Sequence, residues 1–236
     1  PADVFNIRTV IHETGHAMGL PDYYDYKPGV GPDGGLGLFD MMDSAYHDHN
    51  CFSKMLLGWV EPKVIPFTGR FSLRAAEDYG DCAMLVPAGQ KAGQFGEFFL
   101  VENRRRDGND ADAPFFGGLA VWHVDARLRD DGAEFLYNNQ TAEHKLIKFM
   151  EADGLEELEK GSRKSINGGD FYSAGRSLGP ATTPSGRRYD GSDSGFLLLS
   201  AGGGDVASFS VSPSGAAQPA SARTEERQRP DGRVYR

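Results

Sequence analysis

A chain of 236 residues, 39% hydrophobic and 25% charged, is long enough for one large domain or two small ones, each with its own core. With 34 acidic against 25 basic side chains, the net charge is −9; no long basic run appears, so a nucleic-acid partner recognised through its phosphates is not expected. No apolar run approaches the ~20 residues a membrane span needs, and no signal peptide is visible.

The chain opens with "PADVFNIRTV", without an initiator Met and almost inside a helical pattern, which reads as a fragment or processed form. Residues 4–18 are expected to form a helix, because Val4, Ile7, Ile11 and Met18 fall near one stripe. Asp3 is a candidate N-cap, and Gly19, with Pro21 close behind, is placed to end the helix. Gly15 lies inside it, where glycine costs ~1 kcal/mol relative to alanine. A glycine kept there leaves room for something to approach closely. A Gly/Pro/Asp loop follows, "KPGVGPDGGLGLFDMMDS". Then "CFSKMLLGWVEP" reads as a second helix ending near Gly58, with Trp59 as a large apolar anchor. Pro62 and Pro66 mark a boundary.

Beyond residue 64 the pattern becomes β-type: "RFSLRA", "CAMLVP", "EFFLVEN", "GLAVWHV", "HKLIKFMEA", "GFLLLS" and "VASFSVS". Turn-rich segments separate most of these runs, which predicts an antiparallel sandwich or barrel. The expected class is therefore α+β, with helices before residue 64 and a β-sandwich over 64–212. From Pro213 onward almost no large apolar residue occurs, so residues 213–236 are expected to be a disordered tail or linker.

The chemistry concentrates in "VIHETGHAMGLPDYYD", residues 10–25. On a helix, His12 and His16 share a face and project their imidazoles toward one point. Two neutral imidazoles suit Zn²⁺. Glu13, about 100° further around the helix, can sit beside a zinc-held water as general base without being a ligand. A catalytic zinc usually takes three protein ligands, and Gly19 lets the chain turn back sharply. Asp22, six residues after His16, then completes H-E-x-x-H-x-x-G-x-x-D, with Asp where metzincins usually carry His. Asp25 is a second candidate. In "LFDMMDS", Met42, with Met41 next, is the candidate for a methionine turn packing a thioether beneath the histidines.

Other groups carry weaker signals. His47 and His49 in "AYHDHN" are loop histidines of a type that can bind metal. Asp107, Asn109, Asp110 and Asp112 in "RRRDGNDADAP" form an oxygen-rich loop that could hold Ca²⁺, although ordinary turn chemistry also explains it. His123 faces the opposite side of its strand from Trp122 and Val124, where Asp125 could hydrogen-bond it in a structural role. Tyr23, Tyr24 and Tyr46 could donate a hydrogen bond to a tetrahedral intermediate. Cys51 and Cys82 could pair or remain buried free thiols.

"HETGHAMGLPDYYD" closely resembles the HExGHxxGLPDxYD motif of the immune inhibitor A-like secreted metallopeptidases. "GLFDMMDS" is similar to that family's methionine-turn segment and "FSKMLLGWVEP" to its following helix. "EFFLVENRRRDGNDADAPFFGGLAVWHVD", "EADG" and "TTPSGRRYDGSDSGF" resemble later blocks, so the likeness spans roughly residues 4–212. It implies an exported zinc endopeptidase acting on proteins or peptides in extended form. By position, His12, His16 and Asp22 match the zinc-ligand motif and Glu13 the general base. Residues 1–63 then correspond to the C-terminal part of a metzincin-like catalytic domain. Such domains carry an upper sheet and helices before the zinc helix, with an edge strand that holds substrate. Only Pro1 to Ile11 precede His12, so the expectation is that this chain alone is not a competent peptidase. The rival expectation is a non-catalytic secreted or surface module, its sandwich binding a partner and its helix a relic.

Overall fold

The computed structural model describes residues 6–26, 35–45, 47–113, 117–139, 144–160 and 166–216. Asp3, Val4, Tyr46, most of the Gly/Pro loop and residues 217–236 of the expected tail lie outside these. Within them the chain is mixed α+β and mostly β. Short helices α1 (Ile7–Ala17), α2 (Met41–Ser44) and α3 (Cys51–Leu56) come first. Strands β1 (Lys63–Val64), β2 (Gly69–Arg74), β3 (Cys82–Leu85), β4 (Glu97–Arg105), β5 (Gly117–Asp125) and β6 (Ile147–Phe149) follow. A one-turn helix α4 (Glu157–Lys160) precedes β7 (Ser177–Leu178), β8 (Phe196–Gly202) and β9 (Val206–Pro213).

The strands form a five-stranded sheet, β1-β3-β4-β5-β6, and a four-stranded sheet, β2-β9-β8-β7. Pairing is antiparallel except between β1 and β3, which run parallel. β4 and β5 are buried along nearly their whole length, because both faces of the five-stranded sheet are covered. Alternation assigns the faces. Phe99, Val101, Leu119 and Val121 meet Phe196, Leu198, Phe209 and Val211 of the second sheet in one apolar cluster. Phe98, Leu100, Trp122 and Val124 point the other way, into a cluster with Leu20, Tyr23, Phe39, Met42, Phe52 and Met55. The helical segment is thus a third layer on the outer face of the sheet.

Phe39 pins that layer. Its ring stacks on Trp122 at 5.4 Å and meets Phe149 and Phe171 at 5.2 Å each. Burying such a ring is worth about 1.5–3 kcal/mol, and Asp40, Met41 and Met42 follow directly in the chain. Asp40 caps α2 through Met42 N–H, and its other oxygen accepts from the backbone and side-chain amides of Asn50 at 2.6 and 2.8 Å. Asn50 in turn caps α3 by accepting from Ser53 N–H. One fully buried carboxylate therefore ties the methionine segment to α3.

Several sequence expectations are corrected. Asn6 caps α1, accepting from Arg8 N–H. The apolar stripe of α1 is not its packed face: Ile7, Ile11 and Met18 are 58%, 43% and 45% exposed, whereas His12 and Gly15 are buried. The reason is steric, since the side bearing Gly15 is the one that can sit close on Met42. Trp59 is not an anchor; it is 56% exposed and meets only the edge of His49 among described rings, while Trp122 fills the core. Gly58, at φ +70°, does end α3. Cys51 and Cys82 are buried free thiols. Among the described residues no helix is long and apolar enough to cross a membrane.

Candidate metal centre

α1 ends at Ala17, and Gly19 turns the chain in the left-handed region, φ +98°, which glycine tolerates without a Cβ penalty. Leu20 N–H returns to Gly15 O at 3.0 Å, and the segment 20–25 folds back beside the helix. Asp22 thereby reaches both histidines. His12 Nε2 and His16 Nε2 each lie 3.1 Å from the same oxygen, Asp22 Oδ1. The two rings are perpendicular, with centroids 4.8 Å apart.

The opposite ring nitrogens decide the tautomers. His12 Nδ1 lies 2.7 Å from Met41 O, and His16 Nδ1 lies 2.8 Å from Leu20 O. A carbonyl only accepts, so each Nδ1 carries the proton and donates it. In the neutral imidazole, Nε2 is then a lone pair. Two lone pairs converging on a carboxylate oxygen repel unless a positive charge joins them. Ligands around a tetrahedral zinc with bonds of about 2.0–2.1 Å stand roughly 3.3 Å apart, close to the separations seen. Backbone carbonyls behind both rings are the outer-shell support that fixes ring orientation at zinc sites. The donor set therefore fits Zn²⁺.

Of the two aspartates left open by spacing, Asp22 joins this group and Asp25 does not. Glu13 is exposed on the helix next to His12, and its side chain makes no hydrogen bond or ion pair with the described residues. Met42 lies directly beneath: a Cβ on Gly15 would sit 2.4 Å from its Sδ. Met41 contributes differently, through the carbonyl that holds His12. Tyr23 is fully buried and its hydroxyl pairs with Ser53 Oγ at 2.9 Å, so it does not face the site. Tyr24 stacks near the His12 ring, centroids 6.4 Å apart. Beside His16 opens a groove of about 590 Å³, its apolar wall built from Leu56, Leu57, Phe95, Phe135 and Leu146.

The remaining candidates have other partners. His47 is buried near Asp110 and Asp112, and His49 is buried against Trp59; neither enters a metal-ligating group among the described residues. Burial pushes the His49 pKa down to about 4. In the oxygen-rich loop, Asp110 is ion-paired with Arg104 at 2.6 Å and Asp112 with Arg8 at 2.8 Å. Asp107 caps the turn at Gly108, and Asn109 donates to Asp48. The loop gathers no metal-ligating group among the described residues. His123 pairs with Glu97 Oε1 at 3.0 Å, not with Asp125, which is taken by Arg127 and His144. Its ring lies between Phe99 and Tyr189, each 4.2 Å away, which is a structural setting.

Sequence reading missed the two carbonyl supports, because a backbone oxygen has no residue signature. It also missed Arg104. This fully buried cation pairs with Asp110 and Glu102 and lies over the Phe39 ring at 4.3 Å. Burial alone would lower its pKa, but the charges of Asp110, Glu102 and Asp48 hold it above the ordinary value. No family model, no curated protein and no solved structure matches the chain.

Proposed function

We propose that the chain carries the zinc centre of a metallopeptidase, with His12, His16 and Asp22 as ligands and Glu13 as general base. The observation that carries this reading is the convergence of two imidazole Nε2 atoms on Asp22 Oδ1 at 3.1 Å, each imidazole having its Nδ1 proton committed to a carbonyl. The spacing of the motif and its likeness to the immune inhibitor A-like enzymes supply the reaction class. A zinc ion held there supplies Lewis acidity for peptide-bond hydrolysis. Glu13, exposed and without a described partner, takes the proton of the attacking water and returns it to the departing amine nitrogen. Leu20 O and Met41 O hold the ligand rings against rotation. The groove beside His16 offers an apolar wall to a substrate side chain.

The test is zinc content per chain for the wild type and for His12→Ala, Asp22→Ala and Asp25→Ala. The expected result is about one zinc, lost in the first two variants and kept in the third. Glu13→Ala should keep its zinc, and wherever the wild type cleaves a denatured protein the variant should do so about 10²–10⁴-fold more slowly. A folded wild-type chain that takes up no zinc would overturn the reading and turn attention to the sandwich as the functional part.

A further inference from the structure

A second group of metal-ligating side chains stands away from the histidines. Glu151, Asp153 and Asp170 each bring an oxygen within 4.8 Å of the other two. Glu151 and Asp153 flank Ala152 in a turn after β6 that Gly154 N–H closes by donating to Glu151 O at 2.9 Å, while Ala152 between them enters the core. Ala152 N–H donates to Asp170 O at 2.9 Å, and this main-chain bond brings Asp170 alongside. Gly154, at φ +73°, turns the chain away immediately afterward.

Carboxylates can gather merely to accept backbone hydrogen bonds, and some of these oxygens do. Glu151 accepts from Glu157 and Leu158 N–H at 2.6 and 3.2 Å. Asp153 Oδ1 accepts from Leu155 N–H at 3.0 Å, and Asp170 Oδ2 from Asn167 N–H at 2.7 Å. Those bonds leave one atom unexplained. Asp170 is fully buried, and its Oδ1 has no hydrogen-bond partner. A buried carboxylate oxygen without a partner costs free energy. No Lys or Arg among the described residues pairs with any of the three acids. Gly169 packs closely on the group: a Cβ there would sit 2.8 Å from Asp153 Oδ2.

We infer that Glu151, Asp153 and Asp170 form a Ca²⁺ site, with the unpartnered Asp170 Oδ1 as one of its ligands. All the donors are oxygen, which selects a hard cation over zinc. Calcium accepts irregular sets at 2.3–2.6 Å, whereas Mg²⁺ demands near-ideal octahedral geometry at shorter distances. The ion would join β6 to the segment before β7, and so brace the edge of the sheet that carries the helical layer.

The experiment is calorimetric titration of Ca²⁺ into the chain dialysed into calcium-free, zinc-containing buffer, with thermal melts at zero and millimolar Ca²⁺. Wild type should bind calcium, and its Tm should rise by about 5 °C or more at saturation. Asp170→Asn should weaken binding at least about tenfold and remove the shift. Asp153→Asn, at a half-buried position and therefore safer for folding, should do the same. His12→Ala should leave the calcium response intact. No binding by wild type, an undiminished response in the Asp153 and Asp170 variants, or an equal response to Mg²⁺ would overturn the assignment.

Discussion

Replacing Gly15 by alanine tests the geometry beneath the candidate metal centre by the sign of its effect. In an ordinary helix interior, Gly→Ala gains ~1 kcal/mol. Here the added Cβ would lie 2.4 Å from Met42 Sδ and 3.1 Å from its Cε, and Met42 is fully buried. The thioether cannot swing into solvent, so the methyl must displace it or lift α1. Overpacking of this kind costs about 1–3 kcal/mol, which cancels or exceeds the propensity gain. A double-mutant cycle separates the two contributions. In a Met42→Ala background the space beneath Gly15 is empty, so Gly15→Ala should recover its gain of ~1 kcal/mol. The expected coupling between the two sites is therefore about 1–3 kcal/mol. Urea unfolding, followed by the fluorescence of buried Trp122, measures it. Zinc affinity should fall in Gly15→Ala as well, because lifting α1 moves His12 and His16 away from Asp22. If Gly15→Ala stabilises by ~1 kcal/mol in both backgrounds, with coupling below about 0.5 kcal/mol, the close approach of Met42 is not what keeps a glycine there.

Two further outcomes follow from buried charge. Arg104→Leu strands Asp110 and Glu102, its partners at 2.6 and 3.4 Å; losing one side of a buried ion pair costs about 3–5 kcal/mol, a fall in Tm of roughly 6–20 °C, and an unchanged melting temperature would contradict the hub role. His49 gives a pH dependence of definite sign: burial lowers its pKa from 6.5 to about 4 in the folded chain. Between those values the unfolded chain binds the proton and the folded chain resists it, so stability falls as pH falls through that window, by on the order of 3 kcal/mol. His49→Gln should flatten this loss. Urea midpoints at several pH values would test it, and a wild-type-to-variant difference that stays constant with pH would refute it.

Much of the secondary structure was legible because it repeats locally. Each of the seven β-type runs contains a strand, and α3 ends at the glycine expected to end it. β1 and β7 escaped because two residues cannot display a period. α2 escaped because its four residues are held by the cap from Asp40 and by the anchoring of Phe39, not by propensity. The stripe of α1 was read correctly as a stripe and wrongly as the packed face. Hydrophobicity names a side that can be buried, but the bare surface at Gly15 determines which side fits against Met42.

The sequence by itself determined which side chains share a direction. Residues four apart on a helix meet on one face, and residues two apart on a strand do likewise, whatever surrounds them. That suffices to bring His12 and His16 together and to put His123 on the side of its strand away from Trp122. It does not say what stands opposite. Motif spacing favoured Asp22 over Asp25, but that Asp22 reaches both histidines, that Glu97 rather than Asp125 is the partner of His123, and that Asp170 lies beside Glu151 and Asp153 were decided by tertiary structure. Each depends on how one segment folds back upon another, through a left-handed glycine, a cross-strand register or a single main-chain hydrogen bond. Such contacts form between segments whose separation along the chain leaves no periodic mark in the sequence.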